Sequence, residues 1–212
     1  LSKEMNAAWP MEALKAQAVA ARTYAIYKMN AEDGAFHLDN SEMDQVSGNF
    51  HDQTPVTRRM AELTKGEVLV SSSGKAVPAF YHAKCGGKTL LPSDVWSERV
   101  VGYRSVPCPF CHNKGRPTWK KDFSISALGK ILGPTPKGGH QRYRIVRDQL
   151  ARTRVRLYEG DNLVTLKKAD IRKVIGRGEI PSNNFVMSTQ GKKLIIQGEG
   201  HGHGVGMCQI GA

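Results

Sequence analysis

Several clusters in this 212-residue chain have residue types and spacings that chemistry could use. The first is built from cysteine and histidine. "YHAKC" carries His82 and Cys85, and "CPFCH" carries Cys108, Cys111 and His112. A Cys-x2-Cys loop reaches two corners of a tetrahedron from one turn, so Cys85, Cys108 and Cys111 with His112, or with His82 in its place, form the ligand set of one structural zinc. Two other readings stay open. A Cys108–Cys111 or Cys85–Cys111 disulfide would suit an exported protein, and buried free thiols would pack as small apolar groups.

The second cluster is the ending "GEGHGHGVGMCQIGA", where glycines alternate with other residues and His201 and His203 stand between them. A dinucleotide fingerprint needs a third glycine where His203 stands, and no G-K-[ST] follows for a phosphate loop, so the spacing argues against phosphate cradling. On an extended segment the two histidines face the same way and could share a metal or a substrate. The competing reading is close backbone packing that only glycine permits, with one imidazole in the core.

A third group lies on the first helix. Glu12, Lys15, Val19 and Arg22 follow at intervals of three or four, which aligns Lys15 and Arg22 on one bearing. They form either an exposed ion-paired face or a pair of cations aimed into a cleft.

These residues need a scaffold, and the rest of the chain supplies its pattern. "WPMEALKAQAVAARTYAIYKM" predicts a long helix. Pro10 suits its start, Glu12 its first turn, and Met11, Leu14, Ala18, Ala21, Ala25 and Met29 form a small-residue buried stripe. A short helix is predicted from Val56 to Thr64, then a hairpin through "GEVLV", "SSSGK" and "AVPAFYHAK". "TWKKDFSISALGKIL" reads as a strand turning into a short helix. The run from "YRIV" to "KVIG" reads as basic strands with a turn at Glu159-Gly-Asp, and "FVMSTQGKKLIIQGEG" as a final hairpin about Gly191.

The fold class expected is α+β, with a central alanine-rich helix packed on mainly antiparallel strands in one globular unit. Residues 1–212 make one domain, within which 119–190 form a smaller basic β-rich lobe, inserted or appended.

Lys and Arg number 31 against 19 Asp and Glu, a formal charge of +12, which calls for an anionic partner or surface. No apolar run approaches the roughly 18 residues of a membrane span. The opening "LSKEMNAAWP" has neither a charged leader nor an apolar core, so no signal peptide is expected in the chain and both ends are expected to be trimmed.

"EMNAAWPMEALKAQAVAARTYA", "AFYHAKCGGKT", "DVW" and "GHGVGMCQIGA" together closely resemble the SpoIID/LytB family of peptidoglycan lytic transglycosylases, over nearly the whole chain. The resemblance implies cleavage between N-acetylmuramic acid and N-acetylglucosamine, leaving a 1,6-anhydro end. It places the family's catalytic acid on Glu4 and its functional arginine on Arg22. His82, Thr89, His203, Met207 and Gln209 fall on its substrate cleft, and Lys15, on the bearing of Arg22, is a further candidate substrate-binding residue.

One glutamate suffices for such a reaction, because the nucleophile is the sugar's own C6 hydroxyl. The same carboxyl can give a proton to the leaving oxygen and later take one. No cofactor is required. A glutamate that donates a proton near neutral pH needs a desolvated site, and Met5 and Trp9 are suitable neighbours in kind. Arg22 should bind substrate rather than pair tightly with Glu4.

The sequence departs from the family at His201, Cys208 and Ile210, where an aromatic, serine and an aromatic are usual. The zinc site that some relatives carry in the segment matching "FHLDNSEMDQV" retains only His37 here. The partners the resemblance implies are glycan strands stripped of peptide, and other wall hydrolases, in the cell envelope or an extracytoplasmic space. A non-catalytic wall binder that activates an amidase, and a basic zinc-ribbon protein binding nucleic acid, are the alternatives; the glycine tail and Glu4 argue against nucleic acid.

Overall fold

The computed structural model describes residues 1–31, 38–41, 44–46, 48–96, 99–113, 118–132, 143–146 and 152–212. His37 and most of the basic segment before Arg152 lie outside them. The fold is α+β and divides into two compact units, Leu1–Tyr81 with Ala212, and His82–Gly211. The whole of 119–190 falls within the second. Among the described residues no helix is long and apolar enough to cross a membrane.

The first unit is built on α1 (Met11–Ala31) and α2 (Pro55–Leu63), which pack together. Helix α1 opens with the Leu14 N–H on the Pro10 carbonyl, at 3.1 Å. Its buried face differs from the apolar stripe expected of it. Met11 and Met29 are 61% and 57% exposed, while Ala13, Leu14, Gln17, Ala18, Ala20, Thr23 and Tyr24 are buried. An apolar pattern misses both Gln17 and Thr23, and Thr23 is accommodated in the core by hydrogen bonding. The Thr23 hydroxyl donates to the Val19 carbonyl at 2.6 Å and accepts the Leu69 N–H at 3.0 Å.

Helix α2 begins at Thr54, whose hydroxyl accepts the Thr57 N–H at 3.1 Å while the Thr57 hydroxyl accepts the Thr54 N–H at 3.1 Å. This reciprocal cap, with Pro55 at the first helical position, is a purely local start signal. Met5, Leu14 and Met60 close the core of this unit with Ala13, and Leu1 and Trp9 pack at its edge. The expected hairpin is reduced to one bridge, Val70 to Ala76, about a turn in which the Ser71 N–H meets the Lys75 carbonyl at 2.9 Å.

After a two-residue strand, β1 (Tyr81–His82), the second unit runs through two single-turn helices, α3 (Pro92–Val95) and α4 (Phe110–Asn113). It then forms two three-stranded antiparallel sheets. One has the order β2 (Thr118–Ser124), β7 (Lys193–Glu199), β6 (Phe185–Gln190), with Lys121 opposite Ile196 and Met187 opposite the same residue. The other runs β3 (Tyr143–Ile145), β4 (Arg154–Glu159), β5 (Asn162–Lys167).

The turns at Gly160-Asp161 and Gly191-Lys192 fall where the sequence places them. Helix α5 (Ala127–Leu132) follows β2 as expected, but α6 (Lys168–Ile175) occupies a stretch read as basic strand and turn. Its Lys168 and Arg172 are buried, which the charge-rich pattern hides. Lys168 lies over the Phe185 ring at 5.5 Å, and Arg172 donates to the Ile180 and Pro181 carbonyls at 2.6 and 3.1 Å. The core of the unit joins Leu128, Leu157, Ile171, Phe185, Leu194 and Ile196 across the two sheets and the helices.

Candidate functional site

Glu4, Lys15 and Arg22 belong to the first unit; His82, Thr89, His203, Met207, Gln209 and the cysteines belong to the second.

Glu4 lies in the turn ahead of α1, half-buried, and its Oε1 accepts the Val46 N–H at 2.9 Å. That N–H is delivered by a segment tied to α1. The Gln45 amide donates to the Ala21 carbonyl at 2.8 Å, the Tyr24 hydroxyl donates to Asp44 at 2.7 Å, and Lys28 pairs with Asp44 at 3.3 Å. Burial works against the Asp44 charge, but the Asp39 N–H, Tyr24 and Lys28 outweigh it and hold this carboxyl below the usual range.

Beside Glu4 sits the buried hydroxyl of Tyr81, within electrostatic reach of its carboxylate but without a well-formed hydrogen bond. Burial first, and then the negative charge of Glu4, push ionisation of Tyr81 far up, so it stays a neutral phenol. Tyr81 is missing from the sequence reading, whereas 44–46 ends the segment "FHLDNSEMDQV" that the family resemblance puts near the catalytic glutamate. "FYHA" flags an aromatic pair, but nothing local says that one of them meets a residue 77 positions upstream.

Lys15 and Arg22 do not act alike. Lys15 pairs with Glu12 at 2.7 Å on the surface, the ion-paired face that the spacing allows. Arg22 instead closes the end of α2. Its guanidinium donates to the carbonyls of Thr64 at 2.7 Å, Glu67 at 2.9 Å and Ala61 at 3.1 Å. Ala61 and Thr64 lie in the last turn and cap of α2, where carbonyls lack the i+4 N–H of a continuing helix, and a cation there also opposes the helix dipole.

Arg22→Ala is therefore expected to lower unfolding stability by about 2–3 kcal/mol, with Arg22→Lys restoring only part, because an ammonium cannot reproduce the fork. Urea titration checks this; a loss under about 0.5 kcal/mol, the range of inconsequential surface changes, would remove the capping role.

In the second unit His82 is buried, with its Nδ1 at 2.9 Å from the Val205 carbonyl. His203 is half-buried; its Nδ1 accepts the Val205 N–H at 3.1 Å, and its ring lies 5.0 Å from Trp96 and 5.6 Å from His82. Met207 is half-buried too, whereas Thr89 and Gln209 are buried. The Thr89 hydroxyl accepts the Val106 N–H at 2.9 Å, so it holds a loop rather than facing outward.

His201 and His203 do not share a face. Gly200, Gly202, Gly204 and Gly206 have φ of 88, 95, 86 and 76°, and a chain turned at alternate residues loses the period-two geometry of a strand. His201 is exposed and pairs by backbone with Lys84, while His203 turns inward.

The cysteine sulfurs converge, and the set includes one residue the sequence left without a role. Cys111 Sγ lies 3.2 Å from Cys208, 3.3 Å from Cys108 and 3.5 Å from Cys85. His82 lies outside this group, and the side chain of His112 is outside the described atoms. The thiol of Cys85, donating to Cys208, holds Cys208 below the usual thiol range, while burial pushes Cys108 up.

A cavity of about 510 Å³ lined by Trp119, Lys120, Asn184, Phe185, Gln197 and Glu199 contains none of these candidates.

An α+β chain with a lone glutamate ahead of an alanine-rich helix, and a glycine-turned histidine tail, has clear relatives. Residues 1–70 match the family model for SpoIID, described as stage II sporulation protein. The whole chain is 34% identical over 216 residues to an uncharacterized protein of Brachyspira hyodysenteriae, covering 58% of it. It is 29% identical over 251 residues to stage II sporulation protein D of Bacillus subtilis, covering 65% of that protein, and 24% identical over 261 residues to the amidase enhancer of the same organism, covering 36%. The chain thus spans less than two thirds of each relative's own length. Over residues 1–70 the chain is similar to the SpoIID family.

Proposed function

We propose that the chain acts on the bacterial cell wall as a lytic transglycosylase, with Glu4 as its general acid and base. The observation that carries this reading is the setting of Glu4: a carboxyl oriented by the Val46 N–H and bordered by the buried phenol of Tyr81, inside the segment that matches the family. In the reaction, protonated Glu4 gives its proton to the glycosidic oxygen as the bond from C1 of the muramic residue breaks. The resulting carboxylate takes the proton of the C6 hydroxyl on that same sugar, whose oxygen closes on C1. Glu4 ends protonated and ready for another cycle, and no water is consumed.

In the second unit half-buried His203 and Met207 are the residues we assign to sugar contact, and Thr89 holds the loop at Val106. In the first unit Lys15 stands on the surface and Arg22 closes the end of α2. The charge of +12 favours approach to an anionic wall and so supports a role in the cell envelope or an extracytoplasmic space.

Incubation with purified glycan strands, with and without stem peptides, followed by mass spectrometry, tests the proposal. Anhydro-muramyl ends are expected, more abundantly from peptide-free strands; their absence from both substrates overturns it. The likeness to a protein named amidase enhancer favours a second reading, a wall-binding activator. That reading predicts faster peptide release by an added wall amidase with no anhydro ends formed.

A further inference from the structure

We propose that Cys85, Cys108, Cys111 and Cys208 together bind one zinc ion as four thiolates, and that this ion staples the glycine-rich tail to the strand carrying His82. The four sulfurs lie within 4.8 Å of one another and all four residues are buried. With zinc–sulfur bonds of about 2.3 Å, the edge of a tetrahedral site is about 3.8 Å. The contacts of 3.2, 3.3 and 3.5 Å about Cys111 fall within roughly half an ångström of that edge. No single pair of sulfurs is set apart from the others, as a disulfide would require.

The surrounding backbone fits a metal better than four packed thiols. Cys85 runs into Gly86 and Gly87, with φ of 70 and 103°, and this turn brings the Gly87 carbonyl to the Cys108 N–H at 2.9 Å. The two halves of the ligand set are therefore held together by main chain. The Cys85 N–H points at the Cys208 sulfur, 3.4 Å away, the kind of outer contact that steadies a metal-bound thiolate. A Cβ at Gly211 would fall on the Cys108 sulfur, so the closing turn of the chain lies directly against the cluster.

Zinc with four thiolates carries a net charge of −2, since Zn²⁺ displaces four thiol protons. Arg152, which donates to the Lys88 carbonyl, lies within electrostatic reach of Cys85 and opposes that charge. Cys85 is three residues beyond His82 and Cys208 adjoins Gln209, so the ion would fix the histidine wall without touching substrate.

The test uses the full chain, purified under reducing conditions without added metal. Elemental analysis should find about one zinc per chain, and titration with an organomercurial should release it as four thiols react. Cobalt substitution should give the intense visible bands of a tetrahedral thiolate site. Cys208→Ser should weaken zinc binding, measured against a chelator, by more than the roughly 10- to 100-fold that losing a supporting contact costs. Metal-free native protein that takes up no zinc, disulfides among these cysteines, stoichiometric iron, or wild-type zinc affinity in Cys208→Ser would each overturn the proposal. The metal count and the thiol titration stand even if the variant fails to fold.

Discussion

Glu4→Gln is expected to lower the formation of anhydro-muramyl ends by at least about a hundredfold, and by as much as ten-thousandfold, the range a positioned acid and base contributes. The substitution keeps the shape of the side chain and leaves an amide oxygen to accept the Val46 N–H, which now holds the carboxyl at 2.9 Å. What it removes is the proton. A lytic transglycosylase uses one group twice, so loss of that group stops both leaving-group departure and activation of the C6 hydroxyl. Product ends counted by mass spectrometry give the rate, and thermal unfolding of the same sample checks the fold. Undiminished product from a folded Glu4→Gln protein would move the chemistry to another residue. A variant that unfolded early would show instead that Glu4 serves structure through Val46.

Gly200→Ala is expected to destabilise the protein by about 3 kcal/mol or more. Gly200 has φ of +88°, where an L side chain costs roughly 1–2 kcal/mol. The added Cβ would also stand 2.6 Å from the Lys84 carbonyl oxygen and 3.2 Å from backbone atoms of Cys85 and Gly86. None of these atoms can swing aside as a side chain would. The Lys84 oxygen accepts the His201 N–H at 2.8 Å and the His201 oxygen accepts the Lys84 N–H at 3.0 Å, so relief of the clash would break this two-way bridge. Denaturant unfolding measures the loss. A change under about 1 kcal/mol would mean that the tail relaxes at little cost and that its glycine serves something other than close approach.

These two residues show how differently parts of the molecule are written into the sequence. Gly200 was legible as a place where something lies hard against the chain, but the partner, Lys84, was not. Glu4 was legible through the motif around it and the 44–46 segment through the family resemblance, whereas Tyr81 beside it was not. The spacing of Lys15 and Arg22 put them on one bearing, yet one pairs with Glu12 and the other closes α2. The same helix periodicity cannot separate those fates, because it knows the angle of a residue and not what stands opposite.

The sequence by itself determined what short-range geometry controls. The start of α1 at Pro10, the presence of α2, read from Val56 and found from Pro55, and the turns at Gly160 and Gly191 depend on dihedral preferences and hydrogen bonds spanning a few residues. The tertiary structure alone decided that Gln17 and Thr23 are core, that Lys168 and Arg172 of a basic run are buried on α6, and that Cys208 joins Cys85, Cys108 and Cys111. Each of these is a polar or sulfur-bearing group whose burial depends on partners brought from distant positions. That pairing is set by how the elements pack, and no local pattern records it.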